Sequence, residues 1–396
     1  MNIAVYLCYP ELSGGAFQYE LRIAKLLLAK TNKEYNFIFF SNDYEVHKKF
    51  KEFEVQSIYI KENLLQKIFR LLIRNLTIYR IMEKLKIAEN KINKVLKLHD
   101  IDLVYFLSPS GLENDIYSFN YITTCWDILH REQPEFPELN FNKVYEKREV
   151  LYSKILPKAI AVIVDSHFLK SQISFYYNID SNRIYVLPFL PTLSTIENYE
   201  LIDIKKKYDI NGDYIFYPAQ IIAEKNHIYI LKAIKILKDE YNIKIYAIFS
   251  GSNFGNLDHI MFKANEFNIK DQIKYIGFVE NYEIPSLYKN ALALVMPSYC
   301  GPTNLPPLEA FSFECPVFYS DLPYFKEQVA DAVFYIDLQN PQSLSMQLIQ
   351  IMQNRNLINE KKQKGKELLK KWTDNDFWNG LKIIIDNYKF KQESWK

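Results

Sequence analysis

The sequence lacks the cysteine patterns of disulfide frameworks and metal sites. Its 396 residues contain four cysteines, and none of these forms a C-x-x-C pair or lies near a histidine at metal-ligand spacing. The start of the chain lacks the basic and apolar regions of a signal peptide. No uncharged apolar run approaches the roughly 20 residues that a membrane-spanning helix needs. These absences predict a cytoplasmic protein with reduced thiols and no metal.

The sequence also lacks an excess of charge of either sign. Lys and Arg total 49 and Asp and Glu total 47, which gives a net charge of +2. Nucleic-acid-binding proteins are usually visibly basic, so this class is disfavoured. The length of 396 residues, 48% of them hydrophobic, is too great for one ordinary core and fits two α/β domains.

Short β-branched and aromatic runs alternate with amphipathic helical stretches, which is typical of βαβ units and parallel sheets. In the first half, strands are predicted at 2–7, 36–40, 103–107, 121–126, 159–166 and 183–189. After a polar stretch, further strands are predicted at 214–219, 243–251, 273–278, 291–298, 315–320 and 333–337. The polar stretch, 192–213, is the predicted linker.

Segment 61–99 is strongly helical and basic. Four apolar residues recur in it at roughly helical spacing: Ile68, Leu71, Leu72 and Ile78. Four basic residues alternate with them: Lys67, Arg70, Arg74 and Arg80. Two interpretations stay open. One is a helix pair that packs on the sheet with its charges solvated, and the other is a face that docks on anionic lipid.

The most specific stretch is SYCGPTNLPPLEAFSFECPVFYSDLP, residues 298–323. An apolar strand ends at Met296 and Pro297, a loop with Gly301 follows, and a helix begins at about 307–309. Backbone N–H groups at a helix N-terminus can bind a diphosphate. A carboxylate one turn into the helix, at Glu309, can accept hydrogen bonds from two ribose hydroxyls, although such a glutamate is commonly a capping residue.

A second stretch, YPAQIIAEKNHIYILKAI at 217–234, places Lys225 in a loop between a strand and a helix. An ammonium group there can neutralise a leaving diphosphate without a metal. A lysine in such a loop is usually just solvated. The triplet Asp374-Asn375-Asp376, by contrast, precedes the last helix and indicates capping rather than a D-x-D metal site.

Two stretches of the first half carry candidate residues at strand ends. In PELSGGAFQYE, Gly14 and Gly15 allow close backbone approach to a phosphate or an acceptor, but without the spacing of a dinucleotide fingerprint. The stretch CWDILHREQPEFPE, 125–138, follows a strand and is expected at the carboxyl edge of the sheet, where ligands bind. A helix cap for Asp127 and a structural role for His130 stay open as alternatives to ligand contact.

GPTNLPPLEA followed by CPVFYSDLP resembles the donor-binding loop of the family 4 retaining glycosyltransferases. That family has the GT-B fold, in which two Rossmann-like α/β domains with parallel sheets face each other across a cleft. It usually carries two glutamates with seven residues between them. Glu309 matches the second, which holds the nucleotide ribose, and Gly301 replaces the first. The GPTNLPP loop resembles that of a mannosyltransferase-like subgroup of bacterial O-antigen and capsule biosynthesis.

The resemblance implies roles for individual residues. Lys225 matches the family's diphosphate lysine, Gln220 stands where many members have Arg, and the catalytic set is Lys225, Asp127 and Glu309. Gly251 and Ser252 end a strand and could contact phosphate, while Phe278 and Val279 match the segment that borders the base; loop packing is the alternative for all four. The remaining implied donor contacts are Gly14, Gly15, Thr303, Asn304 and Leu305, and the implied acceptor contacts are Trp126, Asp127, His130 and Arg131.

The resemblance also implies an acceptor-side domain at 1–195, a donor-binding domain at 200–373 and a last helix within 374–396 that crosses back onto the first domain. The implied reaction moves a hexosyl group from a nucleoside-diphosphate sugar to a hydroxyl of a growing, lipid-linked surface polysaccharide. It retains the anomeric configuration and needs no metal or other cofactor. GDP-mannose is the first expected donor, and dTDP-rhamnose or a UDP-sugar comes next.

Expected partners are the sugar nucleotide, the glycan or lipid-linked glycan acceptor and, if segment 61–99 docks on lipid, the inner face of the plasma membrane. Nucleic acid is not expected. Two other hypotheses remain open. One is a nucleotide-sugar epimerase of the same architecture, and the other is a non-catalytic partner that binds a glycan or a nucleotide.

Overall fold

The computed structural model describes residues 1–191, 200–301 and 304–395, and it divides into two compact units. Unit 1 comprises Met1–Ile128, Tyr145–Pro188 and Asp374–Lys396, and unit 2 comprises Leu129–Val144 and Phe189–Thr373. The boundary predicted near residue 195 assigns 129–144 to the first domain. In the structure these residues group with unit 2, because they pack on its loops.

The strands of unit 1 are β1 (Asn2–Tyr6), β2 (Asn36–Ser41), β3 (Ser57–Tyr59), β4 (Leu103–Phe106), β5 (Tyr121–Thr124), β6 (Ala161–Val164) and β7 (Ile184–Val186). Those of unit 2 are β8 (Tyr214–Pro218), β9 (Tyr246–Ser250), β10 (Ile273–Tyr275), β11 (Ala293–Met296), β12 (Val317–Ser320) and β13 (Phe334–Ile336).

The helices, in chain order, are α1 (Gly15–Lys30), α2 (Tyr44–Glu52), α3 (Leu64–Leu72), α4 (Leu76–Lys84), α5 (Lys91–Leu98), α6 (Leu129–Glu132), α7 (Pro137–Asn140), α8 (Val144–Ile155), α9 (His167–Tyr177), α10 (Ile204–Lys207), α11 (His227–Tyr241), α12 (Leu257–Glu266), α13 (Ile284–Lys289), α14 (Leu305–Ser312), α15 (Pro323–Val329), α16 (Pro341–Gln353), α17 (Arg355–Leu369) and α18 (Asp374–Gln392). Among the described residues, no helix combines the length and the apolar character needed to cross a bilayer.

Both sheets are parallel and reverse their strand order once. Unit 1 has the order β3-β2-β1-β4-β5-β6-β7, and unit 2 has the order β10-β9-β8-β11-β12-β13. The order therefore reverses between β1 and β4 in the first unit and between β8 and β11 in the second. In open α/β sheets, ligands bind outside the carboxyl ends of the strands at such a reversal.

The parallel α/β architecture predicted from the sequence is confirmed, and every predicted strand overlaps an observed one. The agreement has a simple cause. Strands of a parallel sheet are covered on both faces, so they appear in the sequence as unbroken apolar runs, and all four residues of β4, β6 and β11 are buried. Strand β3 was missed because it has three residues, all half-buried, and therefore no such run.

The last helix, α18, belongs to unit 1. The guanidinium of Arg22 on α1 lies 2.5 Å from the carboxylate of Asp374, and the hydroxyl of Tyr388 donates to the carbonyl oxygen of Asp102 at 3.1 Å. Gly380 lies so close to Leu187 that a Cβ there would be 2.3 Å from Cδ2 of that leucine. The helix is thus packed tightly against the end of β7.

Gly251, a predicted donor contact, occupies a position where a side chain does not fit. Its φ is +129°, and a Cβ would lie 2.3 Å from the carbonyl oxygen of Ala219. Its N–H donates to the carbonyl oxygen of Gly277 at 2.8 Å. Close packing of the loops that follow β8, β9 and β10 therefore accounts for this glycine.

We predict that Gly251→Ala lowers the free energy of unfolding by roughly 2–5 kcal/mol, since left-handed strain and overpacking both apply. Gly255→Ala is the matched control. Gly255 also has a positive φ, +104°, but nothing lies within 4 Å of its added Cβ. This control should cost only the strain, roughly 1–2 kcal/mol. Urea unfolding followed by fluorescence measures both, and equal losses would contradict the packing argument.

Candidate active site

Two loops of unit 2 meet at the carboxyl edge of its sheet. They follow β8 and β11, the neighbouring strands between which the strand order reverses. The first loop contains a 3₁₀ helix, Ala223–Lys225, and the second leads into α14. The N–H of Tyr299 in the second loop donates to the carbonyl oxygen of Glu224 in the first at 3.0 Å. The two predicted motifs of this unit therefore lie side by side.

Lys225 is half-buried and paired rather than solvated. Its side chain is 16% exposed, and its Nζ lies 3.0 Å from Oε1 of Glu224. Burial alone would lower the pKa of Lys225, but the carboxylate of Glu224 more than offsets burial and the pKa is raised. The ammonium is therefore charged at neutral pH, and Glu224 balances its charge.

Glu224, which the sequence analysis did not single out, holds the two loops together. Its side-chain Oε2 accepts a hydrogen bond from the thiol of Cys300 at 3.1 Å, and its N–H donates to Oε1 of Glu138 at 2.8 Å. Glu138 and Cys300 lie 86 and 76 residues away along the chain. The adjacent acid was visible in the sequence, but nothing local indicated these partners.

Glu309 lies in the second turn of α14, and a tyrosine orients its carboxylate. The hydroxyl of Tyr288, at the end of α13, donates to Oε2 of Glu309 at 3.0 Å. Tyr288 is fully buried, and burial next to this carboxylate raises the pKa of its phenol, which stays a neutral donor. Glu309 is half-buried, so its carboxylate lies at the edge of the core rather than within it.

The start of α14 offers a diphosphate fewer backbone N–H donors than a helix N-terminus usually does. The N-cap residue is Asn304, and its N–H donates to Oε1 of Gln328 at 3.1 Å. Pro306 and Pro307 have no N–H. Of the described first-turn peptides, Leu305 is therefore the one whose N–H remains for an anion. This correction follows from the prolines of the motif itself.

Asn304, a predicted donor contact, closes the loop on itself. Its Nδ2 donates to the carbonyl oxygen of Gly301 at 3.2 Å and to the hydroxyl of Tyr319 at 2.6 Å. Gly301 has a φ of +94°, where L-residues are strained, so the backbone favours glycine at the position of the family's first glutamate. Thr303, another predicted donor contact, lies outside the described residues.

The other predicted donor residues divide between surface and core. Gln220 is exposed, and the side chain of Phe278 is 41% exposed, so both are accessible to a ligand. Val279 is 7% exposed and packs in the core of unit 2, which favours the packing alternative. Ser252 joins two loops, because its carbonyl oxygen accepts from the N–H of Ile221 at 3.0 Å.

In unit 1, the loops at the strand reversal are tied together by Glu20 of α1. This fully buried carboxylate accepts hydrogen bonds from the N–H groups of Cys8 and Tyr9 at 2.8 and 3.1 Å and from the hydroxyl of Ser108 at 3.0 Å. Burial raises the pKa of Glu20 to about 7. Gly14, with a φ of +60°, is the N-cap of α1, and Gly15 is its exposed first residue.

The predicted catalytic Asp127 forms an ion pair with Arg148 of α8. The same guanidinium donates to the carbonyl oxygen of Asp127 and to the hydroxyl of Tyr152, each at 3.2 Å. The ring of Trp126 lies 5.3 Å from that of Tyr9. No motif marked Arg148 in the sequence, because Arg148 lies 21 residues after Asp127 in the chain.

The two other predicted acceptor residues, His130 and Arg131, lie on α6 in unit 2. His130 is fully buried and Arg131 is half-buried. Burial of His130 favours the structural alternative over ligand contact. The residues predicted to act together at the acceptor are thus distributed over both units, with Trp126 and Asp127 in unit 1.

Segment 129–144 packs against the loop after β11. The Nε2 of Gln133 donates to the carbonyl oxygen of Tyr299 at 2.9 Å, and the ring of Phe136 lies 5.5 Å from that of Tyr299. Leu129, Leu139 and Cys300 form a small apolar cluster beside these contacts. The carboxylate of Glu138 completes the attachment by accepting from the N–H of Glu224. Segment 129–144 thus holds in place the loop that follows β8 and contains Lys225, which we call the lysine loop.

We predict that Glu138→Ala lets the backbone amides of the lysine loop exchange faster with solvent. The lost bond joins a carboxylate to a backbone N–H, and such bonds contribute roughly 1.5–3 kcal/mol. Amide hydrogen exchange of a peptide that spans 220–226, measured by mass spectrometry, should accelerate about tenfold or more. Glu138→Gln keeps an acceptor oxygen and should exchange nearly as slowly as the wild type. The exposed Glu135→Ala is the control, and unchanged exchange in Glu138→Ala would refute the role.

His227 adjoins the lysine loop at the start of α11. It is fully buried between the rings of Tyr217 and Phe249, each 4.9 Å away, and neither ring nitrogen has a hydrogen-bond partner in the described part of the chain. Burial, with a contribution from the charge of Lys225, lowers the pKa of His227 to about 3. The imidazole is therefore neutral in the folded protein.

We predict that His227 makes the fold sensitive to acid. Below its ordinary pKa of 6.5 the unfolded state binds a proton that the folded state does not, so stability falls as pH drops from 6.5 towards 3. His227→Phe should remove this loss. The free energy of unfolding of His227→Phe minus that of the wild type should therefore be about 2 kcal/mol larger at pH 5 than at pH 8. The exposed His259→Phe is the control. An equal acid dependence in His227→Phe and wild type would show that the assignment is wrong.

Residues 201–368 match the family model described as glycosyl transferases group 1. The chain is 26% identical over 211 residues to the O-antigen chain mannosyltransferase RfbU of Salmonella typhimurium, a match that covers 52% of this chain and 55% of that protein. It is 25% identical over 255 residues to the O-antigen chain mannosyltransferase B of Escherichia coli, covering 63% and 64%. Both matches span less than two thirds of the relatives' own length.

Among solved structures, that of Alr3699/HepE from Anabaena in complex with UDP matches with a TM-score of 0.69 at 15% identity. The match covers 98% of this chain and 100% of that chain. At this identity the likeness concerns the fold, which is GT-B, as the donor-loop resemblance implied. The family match covers residues 201–368, so this part of the second unit is similar to the group 1 glycosyltransferases, and the whole chain has their GT-B fold.

Proposed function

We propose that this protein transfers a hexosyl group from a nucleoside-diphosphate sugar to a hydroxyl group of a growing surface polysaccharide, with retention of the anomeric configuration. The observation that carries the proposal is the half-buried, paired ammonium of Lys225 beside the loop that leads to Glu309, at the strand reversal of unit 2. Two relatives are named O-antigen chain mannosyltransferases, which favours mannose as the sugar. The UDP in the matched Anabaena structure supports a nucleotide ligand for this fold.

In the proposed mechanism, Lys225 binds the diphosphate. Without a ligand, Glu224 neutralises the ammonium, and this carboxylate is held by Cys300 and by the chain around it. A diphosphate brings further negative charge to the same ammonium and forms charge-assisted hydrogen bonds with it. Because the lysine is positioned before the reaction, it stabilises the charge that develops on the leaving phosphate without reorganising. We propose that no metal is needed for this step.

Glu309 is proposed to hold the ribose through its hydroxyl groups. The hydrogen bond from Tyr288 fixes one carboxylate oxygen and with it the orientation of the group. The half-buried position lowers solvent competition for such hydrogen bonds. In this scheme Glu309 binds the nucleotide and does not act on the sugar.

The bond exchange is proposed to take place on one face of the sugar. The bond from C1 to the phosphate oxygen breaks, and the bond from C1 to the acceptor oxygen forms on the same face through an oxocarbenium-like state. The leaving phosphate takes the acceptor's proton. Gly301, which replaces the family's first glutamate, has the positive φ of +94° that favours glycine, so a carboxylate nucleophile at this position is not part of the scheme.

The acceptor is proposed to be a lipid-linked glycan, as the resemblance of the donor loop implies. Asp127 and its partner Arg148, at the carboxyl edge of unit 1, are the charged pair that we propose for acceptor contact. Trp126 beside them offers an aromatic face of the kind that packs against sugar rings.

We predict that Lys225→Ala lowers kcat by about 10²–10³-fold, the usual effect of removing one preorganised electrostatic group. Glu309→Ala should mainly raise KM for the donor, because its contacts are made with the bound nucleotide. The measurement is acceptor-dependent release of nucleoside diphosphate from GDP-mannose, dTDP-rhamnose and UDP-glucose. Lys244→Ala is the control, since Lys244 forms a surface ion pair with Asp271.

Each other outcome has a definite meaning. A near-wild-type kcat in Lys225→Ala together with a near-wild-type KM in Glu309→Ala would refute the site. Epimerised sugar nucleotide without an acceptor would identify an epimerase, and donor binding without turnover would identify a binding partner.

A further inference from the structure

Helix α3 turns its apolar side away from unit 1. None of its residues is buried. Five large apolar side chains follow the spacing i, i+1, i+4, i+7 and i+8, which places them on one stripe of the helix. They are between 45% and 76% exposed: Leu64, Leu65, Ile68, Leu71 and Leu72. The apolar face of an amphipathic helix normally packs on the core, so this orientation is the reverse of the usual one.

The polar side of α3 and the turn after it are fastened to unit 1 by ion pairs with buried carboxylates. The Nε of Arg70 lies 3.0 Å from Oε2 of Glu62, and its guanidinium also pairs with Asp115. The Nε of Arg74 lies 2.6 Å from Oδ1 of Asp115. The carboxylate side chains of Glu62 and Asp115 are 2% and 0% exposed, so loss of a partner would leave a buried charge uncompensated. The ion pairs therefore fix the helix with its stripe outward.

For α3, these ion pairs and the exposed stripe bear on the two interpretations of segment 61–99. Arg70 is bound to carboxylates of unit 1 and largely shielded from solvent, and the five apolar residues of the stripe are exposed rather than packed on the sheet. The interpretation in which α3 packs its apolar side on the sheet is therefore wrong, whereas Lys67 of α3 is exposed, as that interpretation expects. The cations that remain for an external partner are other residues of the segment.

The exposed apolar surface continues beyond α3. Four more large apolar side chains are between 53% and 62% exposed: Leu76, Ile81, Leu85 and Ile87. Soluble proteins usually expose such residues singly, and a cluster marks an interaction site. Between residues 61 and 87, all described, the exposed charges are those of Lys61, Lys67, Arg80, Lys84, Lys86 and one carboxylate, Glu83, besides the paired Arg74. We call this region the 61–87 surface.

We propose that the 61–87 surface docks on an anionic lipid bilayer. Helix α3 lies in the interface with its stripe among the acyl chains, while the lysines and Arg80 meet headgroup phosphates. The charge of the surface is what favours a bilayer over a second copy. In a symmetric dimer, two copies would bring the same cations against each other. The inference goes beyond the proposed transfer reaction and does not depend on its chemistry.

Vesicle binding of the full chain tests the proposal. Sedimentation with vesicles of phosphatidylcholine alone and of phosphatidylcholine with phosphatidylglycerol should show binding to the anionic vesicles and at least tenfold weaker binding to the neutral ones. A Lys67→Gln, Arg80→Gln, Lys84→Gln variant should bind the anionic vesicles on the order of a hundredfold more weakly, because each cation near the surface contributes about fivefold.

A second variant tests the apolar stripe. Leu65→Ser, Ile68→Ser and Leu72→Ser together should lower binding to the anionic vesicles at least tenfold, because acyl-chain contacts are lost. The matched control is Leu98→Ser with Phe175→Ser, two side chains of unit 1 that are 78% and 79% exposed outside the 61–87 surface. Binding by this control should equal that of the wild type.

Failure of the wild type to bind anionic vesicles, or undiminished binding by the serine variant, would overturn the proposal. So would light scattering that shows a wild-type dimer, a monomeric serine variant and no vesicle binding, since the surface would then join two copies. Release of nucleoside diphosphate with a soluble acceptor should be unchanged in the serine variant. Absence of that release from the wild type with vesicle binding intact would count against the transfer reaction and not against docking.

Discussion

The ion pair of the half-buried Lys225 with the buried Glu224 is the interaction on which the candidate site depends. A buried ammonium is costly unless a carboxylate compensates it, and a buried carboxylate needs donors of its own. Glu224 meets this need through the ammonium and the thiol of Cys300, while its peptide group bonds to Glu138 and Tyr299. Three segments that are distant in the sequence are therefore held together by the groups around one charge.

A buried glutamate joins two loops at the strand reversal of each unit. In unit 2, Glu224 connects the loop after β8 to the loop after β11. In unit 1, Glu20 connects the loop after β1 to Ser108, which follows β4. Neighbouring parallel strands whose connections run in opposite directions leave a gap between their loops. A carboxylate can accept several hydrogen bonds, so it joins the two loops on either side of this gap.

Ion pairs also decide what the molecule presents to its surroundings. Arg70 and Arg74 hold α3 by its polar side, so the apolar stripe faces outward with lysines around it. Asp127 and Arg148 hold each other at the carboxyl edge of unit 1. In both places, a charged residue that a sequence pattern assigns to an external ligand pairs with an opposite charge of the same unit.

The sequence alone determined the two parallel sheets and the donor loop. Unbroken apolar runs mark the strands, and Gly301 and the prolines before Glu309 mark the loop. Each of these signals depends only on residues close by in the chain. The loss of backbone donors at Pro306 and Pro307 could also have been derived from it. The tertiary structure alone decided that Glu224 compensates Lys225 with help from Cys300, that Arg148 pairs with Asp127, that His130 is buried and which side of α3 faces outward. Local periodicity defines the faces of a helix, whereas the partner of each face and of each charge depends on residues brought together from distant parts of the chain.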